Sequence, residues 1–336
     1  MTLLEHGGNL REAIAGSDRL AEDWIDLSTG INPHAYPAPA LPAHAWHRLP
    51  EPSPALDAAA RAYYRAPAVL AVAGTQAAIQ ALPHLVGSGR VVVSAPSYAE
   101  HAHAWRRGGH AVREVPYEHL DAALGACEIM VVCNPNNPTG ACIAPEVLLR
   151  WAVRLAARGG WLVVDEAFGD TDPDLSVAAH SGEPGLIVLR SVGKFFGLAG
   201  LRLGFVAAHE ALLSRLQAVL GPWCVSGPAQ EIGCAALVDT AWQRGMRAQL
   251  TGEGARLYDL LATHAIRASG TALFQWWWCS PGQAAAMRQH MAAHGIWVRF
   301  FSGGAGGIRI GLPPYEAAWQ RLAAALASAN FIKEIE

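Results

Sequence analysis

The chain has 336 residues, of which 52% are hydrophobic and 16% are charged, and this composition favours a globular protein with a large core. Its net charge is −3 and it has no basic block, which argues against a nucleic-acid binder. No apolar run approaches the ~18 residues of a membrane span, and the N-terminus lacks the apolar core of a signal peptide. The six cysteines form no CxxC pair, which indicates reduced thiols in a cytoplasmic protein and argues against a zinc site.

The first predicted element is a proline-rich arm over residues 1–45, followed by alternating helical and strand patterns. Helices are predicted at 53–65, 75–86, 98–109 and 144–160, strands at 68–74, 90–96, 110–115, 127–135, 161–168 and 186–192, and an antiparallel strand at 202–208. Near-continuous apolar strands separated by helices are typical of a mostly parallel sheet with helices on both faces. The prediction is therefore a large α/β domain over residues 46–230.

The pattern changes near residue 230. A long helical stretch to about residue 264 is followed by the strand-like sequence RASGTALFQWWWCS, a helix at 282–295, two strands that contain WVRF and IRIG, and a last helix. This succession predicts a smaller α+β domain over residues 231–336, which the N-terminal arm is expected to join.

Chemically distinctive residues fall where the predicted strands end, and ligands of parallel sheets bind at the carboxyl ends of the strands. Gly74, Thr75 and Gln76 open a helix after a strand, so their backbone amides favour a phosphate group. Ser191 and Arg202 can add a hydroxyl and a guanidinium donor to the same phosphate.

The remaining strand-end residues suit a flat, charged ring. Tyr98 offers a face for stacking, Asn137 can donate to an oxygen on the ring, and Asp165 can pair with a buried cation. Lys194 lies in an apolar, glycine-rich segment where an unpaired ammonium is costly, and a Schiff base with an aldehyde would neutralise it. A ring, a phosphate, a pyridine nitrogen and an aldehyde together indicate pyridoxal 5′-phosphate (PLP) as the cofactor.

Three segments carry a resemblance to a known family: NPNNPTG at 134–140, VVDEAF at 163–168 and SVGKFFGLAGLRLG at 191–204. They resemble signature segments of the PLP-dependent fold-type I enzymes of the aspartate aminotransferase superfamily, and the resemblance extends from about residue 25 to about residue 325. It implies that Lys194 is the catalytic lysine that carries PLP and that Asp165 is the partner of the pyridinium nitrogen. It also implies a ring contact from Asn137, stacking by Tyr98, and phosphate contacts from Gly74, Thr75, Ser191 and Arg202.

Two positions differ from the pattern of that superfamily. Phe168 stands where most aminotransferases of this type carry a tyrosine whose hydroxyl reaches the ring oxygen. Arg48-Leu49-Pro50 replaces a segment RYP whose tyrosine reaches the phosphate site of a neighbouring subunit. The resemblance still implies a homodimer, but it does not extend to that cross-subunit contact.

Within the superfamily, the chain resembles the threonine-phosphate decarboxylases of cobalamin biosynthesis, which carry HGGN near the N-terminus and a later S-x-x-INP segment. Here EHGGN occupies 5–9 and LSTGINP occupies 27–33. The resemblance implies a carboxy-lyase that acts on L-threonine O-3-phosphate, with substrate contacts from His6, Gly7, Gly30, Asn137, Arg299 and Arg309. An aminotransferase such as histidinol-phosphate aminotransferase remains the alternative, because the cofactor chemistry alone does not distinguish the two reactions.

Overall fold

The computed structural model describes residues 4–301 and 306–329 of the chain. Contacts between residues divide it into a larger unit, Ala35–Asn137 with Ala141–Met246, and a smaller unit, Met1–His34 with Pro138–Gly140 and Arg247–Glu336. The domain boundaries at residues 45 and 230 remain a prediction. The limits of the two units lie near residues 34 and 246, because the chain around residues 45 and 230 packs within the larger unit. A Cβ on Gly227, for example, would lie 2.3 Å from the carbonyl oxygen of Ala45.

In chain order, the helices and strands are α1 (Leu10–Ala15), β1 (Ile25–Leu27), α2 (His44–His47), α3 (Pro54–Tyr64), β2 (Val69–Val72), α4 (Thr75–Ala81), β3 (Arg90–Ala95), α5 (Ala99–Arg107), β4 (Ala111–Pro116), α6 (Leu120–Ala123), β5 (Ile129–Cys133), α7 (Pro145–Ala156), β6 (Trp161–Asp165), β7 (Leu186–Ser191), β8 (Gly204–Ala207), α8 (Glu210–Leu220), α9 (Gly227–Val238), α10 (Thr240–Thr263), β9 (Ala268–Thr271), β10 (Phe274–Trp278), α11 (Pro281–Ala293), β11 (Ile296–Phe301), β12 (Gly307–Gly311) and α12 (Glu316–Ala327). Every helix and strand predicted between residues 53 and 208 has a counterpart among them. Within the described residues, no helix combines the length and the hydropathy needed to cross a membrane.

The seven-stranded sheet of the larger unit has the order β2-β8-β7-β6-β5-β3-β4. Strands β3 to β7 run parallel, whereas β8 is antiparallel to both β2 and β7. Every residue of β5, β7 and β8 is buried, as expected of strands covered by helices on both faces. The predicted α/β class and the antiparallel strand are confirmed, and the carboxyl ends of the parallel strands meet at one edge.

The smaller unit contains a five-stranded sheet of order β1-β11-β12-β10-β9. β1 is parallel to β11, and the other neighbours are antiparallel. Arg299 on β11 lies directly opposite Arg309 on β12 in the register of this sheet. The topology therefore places the two arginines predicted to bind substrate side by side.

The predicted helical stretch from 230 to 264 is two helices, α9 and α10. Asp239 separates them, and its Oδ1 accepts a hydrogen bond from the backbone N–H of Trp242 at 3.0 Å. Aspartate in this position caps the first turn of the following helix and so favours a new start.

Candidate active site

A pocket lies at the carboxyl edge of the larger sheet. Its walls come from the loops that follow β2, β3, β5, β6 and β7, and they include every residue predicted to bind the cofactor: Gly74, Thr75, Gln76, Tyr98, Asn137, Asp165, Ser191, Lys194 and Arg202. The structure therefore brings this predicted set together, and the role of each residue in binding stays a prediction.

The side of the pocket nearest β2 and β8 presents a guanidinium beside backbone amides. Gly74 has φ +72°, and a Cβ at this position would lie 2.6 Å from Nη2 of Arg202. Only glycine therefore allows the guanidinium so close to the start of α4. Nη1 of Arg202 donates to the carbonyl oxygen of Ala199 at 3.1 Å, and the hydroxyl of Ser191 lines the same pocket. This combination of donors suits a phosphate.

Asp165, the last residue of β6, is held from two sides. Its Oδ2 lies 2.8 Å from Nε2 of His101, and its Oδ1 accepts the backbone N–H of Ala167 at 3.0 Å. Burial acts to lower the pKa of His101, but hydrogen bonds with Asp165 and Cys133 outweigh it and raise the pKa to about 10. At neutral pH His101 is therefore an imidazolium, which donates to Oδ2 of Asp165.

His101 is a site residue that the sequence analysis missed. It lies three residues after Tyr98, at the start of α5, and this spacing places both side chains on one side of the helix. Their ring centroids are 6.0 Å apart in an edge-to-face arrangement. The spacing from a predicted stacking residue is the signal that could have identified it.

Lys194 follows β7 on a loop packed in an apolar environment, as the sequence predicts. Its Nζ lies 5.3 Å from the centre of the Phe168 ring. Phe195 and Phe196 are 1% and 0% exposed, and Phe196 stacks on Trp242. The loop that carries the lysine is thus fixed by aromatic packing, and the ring that faces the amine has no hydroxyl to donate.

Tyr98 and Asn137 occupy the walls between these groups. The Tyr98 hydroxyl donates to Oε1 of Gln76 at 3.2 Å, and Nε2 of Gln76 donates to Oε2 of Glu100 at 2.6 Å. Burial raises the pKa of Tyr98, so this phenol stays neutral. Asn134 braces the loop that carries Asn137, because its side chain exchanges two hydrogen bonds with the backbone of Ile143, at 3.1 and 2.7 Å.

The paired arginines of the smaller unit are held by the backbone of its N-terminal segment. Nη2 of Arg309 donates to the carbonyl oxygen of Ser28 at 2.8 Å, and Nη2 of Arg299 donates to that of Glu5 at 2.6 Å. Burial and the neighbouring Arg299 lower the pKa of Arg309 to about 10. Two adjacent guanidinium groups, one of them buried, would be stabilised by an anion.

Of the other residues predicted to bind substrate, His6, Gly7 and Gly30 lie in the same unit, whereas Asn137 belongs to the larger unit. A Cβ on Gly7 would lie 2.4 Å from the carbonyl oxygen of Ser28, and the N–H of Gly8 donates to the Ser28 hydroxyl at 2.7 Å. The HGGN segment therefore needs glycine to approach the strand end at Ser28. Gly30 is buried and His6 is exposed.

The donor set of the pocket fits PLP. Arg202 next to Gly74 suits the phosphate, and Lys194 suits the aldehyde. Asp165, which is hydrogen-bonded to His101, suits a protonated ring nitrogen. In the described residues, His101, Cys133 and Asp165 also form a group of potential metal ligands, but the His101–Asp165 hydrogen bond already accounts for two of them.

Comparisons with known proteins agree with this architecture. The family model described as aminotransferase class I and II matches residues 22–326. A threonine-phosphate decarboxylase of Pseudomonas aeruginosa is 51% identical over 325 residues, 96% of this chain and 97% of that protein. Two solved structures share the fold. An L-threonine-O-3-phosphate decarboxylase of Porphyromonas gingivalis matches with a TM-score of 0.77 and 20% identity, over 92% of this chain and 99% of that chain. A histidinol-phosphate aminotransferase of Sinorhizobium meliloti in complex with PLP matches with a TM-score of 0.71 and 22% identity, over 85% of this chain and 89% of that chain. The chain is therefore a member of the aminotransferase class I and II family.

Proposed function

We propose that this chain is a PLP-dependent carboxy-lyase that converts L-threonine O-3-phosphate into (R)-1-amino-2-propanol O-2-phosphate and carbon dioxide, in cobalamin biosynthesis. The observation that carries the proposal is the 51% identity to a threonine-phosphate decarboxylase over 96% of this chain. The cofactor pocket of the larger unit and the paired arginines of the smaller unit supply the groups that such a reaction requires.

The cofactor is PLP, which supplies an aldehyde for the substrate amine and a protonated ring that accepts electrons from a breaking bond. Nζ of Lys194 would carry it covalently, Asp165 would bind the ring nitrogen, Asn137 would bind the ring oxygen and Tyr98 would stack on the ring. The phosphate would be bound by Gly74, Thr75, Gln76, Ser191 and Arg202.

The substrate carries two anionic groups, a carboxylate and a phosphate. Arg309 would bind the carboxylate, as the family resemblance implies, and Arg299 and His6 are the donors proposed for the phosphate. The pKa of Arg309 is lowered by burial and by Arg299, so a bound anion would relieve an existing repulsion. Gly7 and Gly30 would complete the substrate contacts together with Asn137.

Two of these residues would also set the course of the reaction. By fixing the carboxylate, Arg309 would determine which bond at the substrate Cα stands perpendicular to the ring, the orientation in which that bond breaks most readily. Once carbon dioxide has left, Nζ of Lys194 would return a proton to Cα, because a lysine next to the reacting centre is a suitable general acid.

We further propose that the protein is a cytoplasmic homodimer. The family resemblance supports the dimer, and the six free cysteines, of which Cys127 and Cys133 are buried, are in keeping with a reducing compartment.

Carbon dioxide release measured without an added keto acid tests the proposed function. We expect release from phosphothreonine, and far slower release from threonine, since each charged donor left unpaired in a buried site typically costs at least ~1–3 kcal/mol. Transamination of histidinol phosphate with 2-oxoglutarate, without carbon dioxide release from phosphothreonine, would instead identify an aminotransferase.

A further inference from the structure

A buried ionic cluster in the larger unit has no place in the proposed reaction. Arg190, Glu166 and Asp170 are each 1–2% exposed. Arg190 donates through Nη1 to Glu166 and through Nη2 to Asp170, and its Cζ lies 4.6 Å from the centre of the Tyr64 ring. One guanidinium and two carboxylates are thus removed from water at a single point of the fold.

Two members of the cluster are direct sequence neighbours of cofactor-pocket residues. Glu166 follows Asp165 at the end of β6, and Arg190 precedes Ser191 at the end of β7. Asp165 pairs in register with Leu189, and successive side chains of a strand point to opposite faces. Asp165 and Ser191 therefore share the pocket face, whereas Glu166 and Arg190 share the other face. Their ion pair connects the two strands at the level of the pocket.

Glu166 is fixed by further contacts on that face. Its Oε1 accepts the backbone N–H of Val177 at 2.8 Å, and its Oε2 accepts the hydroxyl of Ser176 at 2.5 Å. Its own N–H donates to the carbonyl oxygen of Leu189 at 2.9 Å. Backbone and side chain of Glu166 thus both connect the end of β6 to its surroundings.

The third member, Asp170, extends the attachment to the loop after β6. Glu166 and Asp170 flank Phe168 in the sequence and bind the same guanidinium. A Cβ on Gly169 would lie 2.9 Å from Nη1 of Arg190. The loop is therefore closely fitted around Arg190, and a side chain at residue 169 would displace the guanidinium.

Stability alone is a poor explanation for this arrangement. Burying three charged groups carries a large desolvation cost, and apolar residues of similar volume often replace a buried ion pair without loss of stability. What apolar packing does not provide is direction, whereas charge-assisted hydrogen bonds of a planar guanidinium fix both distance and angle. A requirement for accurate geometry next to Asp165 and Ser191 would explain the cluster.

We propose that Arg190, Glu166 and Asp170 are positioning residues that fix the spacing between Asp165 and Ser191, and thereby match the pocket to the two ends of PLP at once. The inference rests on the roles proposed above for Asp165 and Ser191. A ligand that contacts both residues depends on their spacing, whereas a ligand that contacts only Asp165 does not.

Pyridoxal, which lacks the phosphate, distinguishes these two cases. The dissociation constants of pyridoxal and PLP are measured by absorption on the full-length apoenzyme, well below its unfolding temperature. The dissociation constant of pyridoxal divided by that of PLP reports how much the phosphate contact adds to binding when the ring nitrogen is also bound. Glu166→Gln keeps the shape of the side chain but removes its charge. We expect this ratio to fall about tenfold or more, because misplacing a fitted group by about 1 Å has effects of this size.

Gly169→Ala provides an independent perturbation that changes no charge. Its methyl group would displace the guanidinium of Arg190, so the ratio should fall in this variant as well. If Glu166→Gln does not fold, this variant decides the outcome.

Glu128→Gln is the control for loss of an ion pair elsewhere in the same sheet, where both partners are exposed. Glu128 forms an ion pair with Arg90 across the neighbouring strands β3 and β5 of the same sheet, but at their amino ends, away from the pocket. The pyridoxal-to-PLP ratio should keep its wild-type value in this variant. A fall as large as that in Glu166→Gln would show that any lost ion pair in the sheet has the effect, and would overturn the proposal.

Two other outcomes would also overturn it. A folded Glu166→Gln or Gly169→Ala variant that binds both compounds with the wild-type ratio, even if its thermal stability is reduced, would mean that the cluster is only structural. An unchanged ratio in Ser191→Ala would mean that Ser191 does not bind the phosphate. The proposed decarboxylation is tested separately, since carbon dioxide release by the unmodified holoenzyme does not depend on any of these variants.

Discussion

Replacing His101 by leucine should destabilise the apoenzyme by about 3–5 kcal/mol, the usual cost of breaking a buried ion pair by removing one partner. Nε2 of His101 lies 2.8 Å from Oδ2 of Asp165, and both side chains are at most 5% exposed. Water therefore has little access to the carboxylate that leucine leaves behind. His101→Gln, which keeps a neutral donor of similar reach, should lose less stability.

The loss should depend on pH in a defined direction. Burial acts to lower the pKa of His101, but hydrogen bonds with Asp165 and Cys133 raise it from 6.5 to about 10 in the folded chain. Because the folded state binds this proton more tightly, the stabilisation is fully present below pH 6.5 and is lost as the pH rises through about 10. The difference in unfolding free energy between wild type and His101→Leu should therefore shrink from pH 6.5 to pH 10.

Urea unfolding of the apoenzymes at these two pH values measures both effects. His110→Leu serves as the control, since His110 is also buried but bonds the neutral carbonyl oxygen of Pro83 at 2.9 Å, so its loss should be about 1–3 kcal/mol. A loss below about 1 kcal/mol for His101→Leu, as for an exposed pair, or an equal loss at both pH values, would refute the charged His101–Asp165 pair.

Three further predictions concern the pocket and the paired arginines. Lys194→Ala should lack the visible absorption of covalently held PLP, and a fully retained band would exclude Lys194 as the attachment point. Phe168→Tyr adds a hydroxyl to the ring whose centre lies 5.3 Å from Nζ of Lys194, so the midpoint of the pH-dependent cofactor band should move to lower pH; an unchanged midpoint contradicts this placement. Arg309→Ala and Arg299→Ala should each lower kcat/KM for phosphothreonine at least tenfold, because a hydrogen bond to a charged group is worth about 1.5–3 kcal/mol. Both variants should keep the PLP spectrum. Wild-type kinetics in either variant would show that its arginine does not bind the substrate.

The sequence predicts most of the larger unit because its signals are local. Buried parallel strands such as β5 are continuous apolar runs. Helix α3 is preceded by the N-cap residue Ser53, whose hydroxyl accepts the N–H of Leu56 at 3.3 Å. Strand β1 gives no such signal: it has three residues, and its pairing with β11 joins distant parts of the chain. Helix α8 is also absent from the sequence prediction, although its buried residues Leu213 and Leu216 have the three-residue spacing of one helix face.

The convergence of the residues proposed to bind the cofactor could be predicted, because the carboxyl ends of the strands in a parallel sheet meet at one edge. The roles of His101 and Arg190 could not be predicted, because each depends on a partner that only the fold brings near. The spacing of His101 from Tyr98 indicates only that the two side chains lie on one side of a helix. His101 meets Asp165 across 64 residues of sequence, and Arg190 meets Glu166 across 24. Within its own segment, each reads as an ordinary polar residue on a helix or at a strand end.

The central claim, decarboxylation of phosphothreonine, is tested most directly by NMR of the holoenzyme with phosphothreonine in D2O and no keto acid. The account predicts that the phosphothreonine signals are replaced by those of 1-amino-2-propanol O-2-phosphate, with one deuteron on the carbon that carried the carboxylate, because the Nζ protons of Lys194 exchange with solvent. Phosphothreonine that stays intact, or is converted into a keto acid, would contradict the claim.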